Sequence, residues 1–90
     1  MGQSMYGGNL AEMQQMSQQF GQQSTAVREV VAALDKEAAK VGTAWTGPGA
    51  QKFKSAWDSY RAAFQRMATE LDDASRVITK YRENIDAATQ

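Results

Sequence analysis

Two long rows of residues, each stepping alternately by three and four and separated by one break, leave this chain little choice of fold. The first row runs Leu10, Met13, Ser17, Phe20, Ser24, Val27, Val31, Leu34, Ala38, Val41, Trp45, and only its two small serines are polar. The second runs Ala50, Phe53, Trp57, Tyr60, Phe64, Met67, Leu71, Ala74, Ile78, Tyr81, Ile85, Ala88. Every position in it is apolar or aromatic, although such residues make up only 42% of the chain. This is the step of a seam along which helices pack on helices. No stretch alternates in the manner of a half-buried strand. The class is therefore all-α.

The break is Trp45-Thr46-Gly47-Pro48-Gly49, the one cluster of Gly and Pro after the first few residues. Gly47 can take backbone angles closed to residues with a Cβ, which suits a reversal. Pro48 suits the first turn of a helix, where its missing N–H would have had no partner. Trp45 is expected to cover the open end of the helix pair at the bend. Asn9 followed by Glu12 resembles a capping box and sets the first helix start near Leu10. Gly42 marks its end. The reading is a flexible lead-in over residues 1–8 and one hairpin domain over 9–90. Within that domain we expect a helix over about 9–42, a bend at 43–47 and a helix over about 48–87.

A chain of 90 residues makes a thin single domain. Each predicted helix is long, the first about 50 Å at about 1.5 Å per residue. Joined by a short bend, the two must lie antiparallel. Met16, Val30, Ala56, Ala63 and Val77 widen the stripes beyond a two-helix seam. A lone hairpin would leave this width in water. The expected remedy is a second hairpin, giving a dimer built as a four-helix bundle. Candidate core residues of hairpin or dimer are Phe20, Val27, Val31, Leu34, Val41, Phe53, Trp57, Tyr60, Phe64, Met67, Leu71 and Ile78. Gly21, with Ser17 and Ser24, makes the first half of the first helix its weakest part, at about 1 kcal/mol for the glycine. The glutamines at 14, 15, 18, 19, 22 and 23 form a solvated face.

Composition excludes much chemistry. The chain has no Cys and no His, so thiolate or imidazole catalysis and the commonest metal ligands are absent. Asp72 and Asp73 are adjacent on a helix and diverge by about 100°; Glu70 and Asp73 share a face rich in Lys and Arg. No enzyme, cofactor or metal is expected. Ten basic and ten acidic side chains cancel and are intermixed, which argues against a nucleic-acid partner. Lys52 and Lys54 after the bend offer at most a local docking spot. No run reaches the roughly 18 apolar residues of a membrane span. The first eight residues lack the basic region and apolar stretch of a cleaved signal peptide.

Trp45-Thr46-Gly47 is a Trp-X-Gly triplet placed mid-chain between two helices, with Ala50 and Phe53 following and Trp57 continuing the aromatic row. In this setting the chain resembles the WXG family of small substrates of bacterial type VII (Esx) secretion systems. The resemblance implies a hairpin that pairs with itself as a homodimer, or with a sister WXG chain, into a four-helix bundle. It implies export in folded form by a type VII secretion ATPase, without a cleaved signal peptide, after synthesis in the cytoplasm. It also implies a recognition surface made by the bend (Trp45, Gly47) and a C-terminal tail. Family tails carry Tyr-X-X-X-Asp/Glu; here Tyr81 is followed four residues on by Ile85, and the acids fall at Glu83 and Asp86. This departure leaves Tyr81 as either an export group or a core residue of the second row. Two other readings fit the same pattern: a non-secreted coiled-coil adaptor for a larger helical partner, and a membrane-active amphipathic hairpin.

Overall fold

A computed structural model describes residues 8–88. The lead-in expected over 1–8 lies, apart from Gly8, outside the described residues. Two helices, α1 (Leu10–Ala38) and α2 (Pro48–Ala88), form an antiparallel hairpin. The 41 residues of α2 at about 1.5 Å each make a rod of about 62 Å. The hairpin is correspondingly elongated, 65 × 18 × 17 Å.

Asn9 caps α1 through its side-chain oxygen, which accepts from Glu12 N at 3.0 Å, while its carbonyl accepts from Met13 N at 2.9 Å. The regular ladder of α1 stops at Ala38, earlier than the apolar row suggests. From there the chain tightens into i→i−3 turns, Lys40 N to Glu37 O and Val41 N to Ala38 O, both 3.1 Å. The Lys40 carbonyl then gathers Ala44 N (2.9 Å), Thr43 N (3.1 Å) and the Thr43 hydroxyl (3.2 Å). Gly42 has φ 102°, so a regular helix cannot pass through it.

The two rows divide in half. On α1 the heptad series Ser17, Ser24, Val31, Ala38 is buried between the helices. On α2, Ala50 and Trp57 are buried in one series and Ala68 in a neighbouring one. Most of these residues are small, as a close approach of two backbones requires. Ser17 and Ser24, the two polar positions of the first row, lie at the centre of the contact. The Ser24 hydroxyl donates to the Ala68 carbonyl at 2.9 Å. Ser17 Oγ lies 3.0 Å from the Ser75 carbonyl and 2.6 Å from Thr79 Oγ1, and Ser75 Oγ donates to the Ser17 carbonyl at 2.8 Å. No buried side-chain polar atom among the described residues lacks a partner.

Candidate functional site: the bend and the exposed apolar face

Gly47 does two things at the bend. Its φ of 103° lies where a Cβ is strained, and its carbonyl accepts from Gln51 N at 3.1 Å, opening α2 with Pro48 as the first helical residue. Nothing lies within 4 Å of where its Cβ would stand. The demand for glycine is thus one of backbone conformation, not space. Gly42 N donates to the Trp45 carbonyl at 2.8 Å, closing the loop on itself. Trp45 reaches across the bend to Phe53, ring centroids 5.7 Å apart and planes tilted by 44°. Its indole remains 49% exposed, whereas Trp57 is only 6% exposed. Trp45 therefore presents a surface at the bend, and Trp57 is the large side chain of the core.

The two long edges of the hairpin differ in chemistry. One is polar and ties the helices together. Asp35 accepts from Trp57 Nε1 at 2.8 Å and pairs with Arg61 at 3.0 Å. Arg28 pairs with Asp72 at 2.9 Å and also donates to the Ser24 hydroxyl. Arg82 Nε donates to the Leu10 carbonyl at 2.8 Å. The Ser24 hydroxyl, and after it the Arg28 guanidinium, hold the Asp72 carboxyl below its ordinary value against a smaller opposing effect of desolvation. The adjacent Asp73 pairs with Arg76 instead, at 2.7 Å, which keeps the Arg76 guanidinium protonated still more firmly. The two neighbouring carboxylates thus serve different partners.

The other edge is apolar. Along each row, every second member stands about 60° round from the inward half, three residues on at about 100° each. In two antiparallel right-handed helices these rotations fall on the same side. Phe20, Leu34, Phe53, Tyr60, Met67 and Tyr81 lie there, between 36% and 59% exposed. Met16, Val30 and Val77, each about half exposed, broaden the face. Val27, Val41, Phe64, Leu71 and Ile78 are half-buried along the seam beneath it, and Val31 is buried. Near the bend the face sinks into a groove of about 270 Å³ lined by Leu34, Ala38, Phe53 and Trp57, with Glu37 beside them. Taking about 200 Å² for a large side chain, six at about half exposure leave roughly 550–600 Å² of apolar surface in one strip. That is at the upper end of what a monomer exposes.

At the far end α2 runs unbroken to Ala88, so Tyr81, Glu83 and Asp86 are all helical and point around the rod in different directions. Sequence reasoning did not find Arg28, Asp35, Arg61, Asp72, Ser75 or Arg82 as cross-helix ties. The available signal was opposite charge one position round from the seam on both helices.

The bend completes the comparison with known proteins: a Trp-X-Gly whose glycine carries the reversal, set between two long helices. Residues 7–88 match the family described as proteins of 100 residues with WXG. The chain belongs to the WXG100 family. Members of this family are type VII secretion substrates, helical hairpins without enzymatic activity. No match was found among curated proteins or among solved structures. As a WXG100 chain it also has, among the described residues, no helix long and apolar enough to cross a membrane.

Proposed function

We propose that this WXG100 chain is exported as a folded pair of hairpins, a four-helix bundle closed over the apolar face, and that it acts by binding other proteins. The single observation that carries the reading is the continuous strip from Phe53 to Tyr81 on α2 alongside Phe20 and Leu34 on α1, which one hairpin cannot cover. A strip of roughly 550–600 Å² on each of two partners buries about 1,100–1,200 Å² in all, close to the lower bound of specific stable interfaces. The partner is a second copy or a sister WXG chain.

The export machinery, a membrane ATPase of the type VII system, reads the bend, where Trp45 and Gly47 stand, together with the tail that carries Tyr81, Glu83 and Asp86. Supporting this is the exposure of the Trp45 indole, which the fold does not spend on burial. The chain is made in the cytoplasm and leaves without a cleaved signal peptide, as one hairpin domain. The test is its appearance in the medium of a bacterium carrying a type VII system, with and without the active ATPase. Secretion that persists without ATPase activity would sink the reading and favour a cytoplasmic adaptor or a different route.

A further inference from the structure

The two ends of the seam between α1 and α2 are held by different means. Toward the bend the buried residues are Val31 and Ala38 of α1 with Ala50 and Trp57 of α2, and Asp35 ties Trp57 and Arg61 beside them. Water offers buried apolar groups nothing in exchange when they part. Toward the open end the buried α1 residues are the hydroxyl-bearing Ser17 and Ser24, and Met13, Leu71 and Ile78 are only half-buried. Ser17 is bonded to Ser75 and Thr79, and Arg82 reaches the Leu10 carbonyl. Such bonds contribute little net, because water takes up the same groups once they are exposed.

The first half of α1 is also the weaker helix in its own right. From Met13 to Val27 it carries no charged residue, so neither ion pairs along the helix nor salt bridges across the seam support it there. Gly21 interrupts it with the poorest helix former after proline. The Thr25 hydroxyl turns back onto the Gly21 carbonyl at 3.3 Å, a bond that competes with the helix ladder. Charge returns one turn past Ser24. There Arg28 donates to the Ser24 hydroxyl and pairs with Asp72 at 2.9 Å, fastening α1 to α2.

We propose that the first half of α1, from Leu10 to Gln23, is a strap that opens from α2 as one unit, as far as the fastening made by Ser24, Arg28 and Asp72, while the bend half stays closed. A segment with few buried apolar contacts, next to one that holds the core, opens at a lower free energy than the whole fold. The bonds Leu10–Arg82, Ser17–Ser75 and Ser24–Ala68 bracket what the strap covers. Leu71, Ser75 and Ile78 fall within that span, half-buried. Opening the strap uncovers this stretch of α2 without disturbing Trp57 or Val31. The device belongs to the seam inside one chain, so its failure would leave the proposed function untouched.

The test is native-state amide hydrogen exchange of the full chain, read residue by residue by NMR at one fixed chain concentration. Corrected for intrinsic rates, the amides of residues 14–23 should share one exchange rate, roughly tenfold or more above that of residues 29–38, with the step falling between Ser24 and Arg28. Two exposed or half-buried positions then separate the halves. Ala33→Gly, in the bend half, should speed exchange of residues 29–38 about fivefold and leave residues 14–23 unchanged, because opening the strap does not unwind the helix at Ala33. Gly21→Ala should slow residues 14–23 about fivefold. Rates that grade smoothly inward from the N-terminus, or equal protection along all of α1, would overturn the inference. So would an Ala33→Gly chain in which both halves speed up alike, or a Gly21→Ala chain whose strap exchanges as before.

Discussion

The two tryptophans offer a sharp comparison, since they lie only twelve residues apart, one closing the first row and one in the second, and the structure gives them opposite roles. Trp57 is 6% exposed and its indole N–H is held by Asp35 at 2.8 Å. Trp45 is 49% exposed and rests mainly on Phe53. At about 25 cal/mol per Å² and roughly 230 Å² for the side chain, burial of Trp57 is worth up to about 5 kcal/mol and that of Trp45 about half as much. Replacing Trp57 by Ala should therefore cost about 3–5 kcal/mol. The loss is severe here because Trp57 and Val31 are the only buried side chains larger than Ser or Ala among the described residues. For a chain of this length a total stability of roughly 5–13 kcal/mol is ordinary. Trp57→Ala would then remove roughly a quarter of it or more, and Trp45→Ala about 1–2 kcal/mol. The assay is urea unfolding followed by helical circular dichroism, at one fixed chain concentration because the proposed pairing would add to apparent stability. A Trp45→Ala chain less stable than Trp57→Ala would refute the division of labour.

The remaining predictions concern the bend, the weak half of α1 and acid. Gly42 and Gly47 have nearly the same positive φ, so Ala at either should destabilise by a similar amount, about 1–2 kcal/mol in the same unfolding assay, although only Gly47 belongs to the triplet. Gly21→Ala should stabilise by about 1 kcal/mol, since the added Cβ would meet only Ser75 Oγ, at an ordinary 3.6 Å; a loss of stability would show that the seam tolerates no growth there. Because Asp72 titrates below its ordinary 3.8 when folded, its contribution is present above that value and fades as pH falls through the lower folded one. Melting temperatures of Asp72→Asn should accordingly lie below those of the native chain near neutrality and converge with them in strong acid.

Much of this was legible in the residues. The alternating step located both helices, and Asn9, Gly47 and Pro48 marked starts and reversal through local backbone chemistry. The split of each row was not legible, because spacing sets which residues share a stripe but not which half of it faces the partner. By hydrophobicity, Phe20 and Leu34 looked more central than Ser17 and Ser24. Two backbones at close approach have room for the serines and not for the rings, so the large residues turn outward. The polar ties were hidden for a related reason. Whether Asp35 meets Arg61, or Arg28 meets Asp72, depends on the register between the helices, which is fixed by the turns at Lys40 and the angles at Gly42 and Gly47.

The outward strip from Phe53 to Tyr81 is the basis of the proposed pairing, and its centre is Met67. The most direct test is the molar mass of the native chain and of Met67→Glu, by sedimentation equilibrium at low micromolar concentration. A carboxylate at the centre of a dry face would have to be buried without a partner. The account predicts twice the chain mass of 9.9 kDa for the native protein and the single-chain mass for the variant, both fully helical. A variant that remains a dimer would contradict it, and a native monomer would refute self-pairing and leave only a sister chain as the partner.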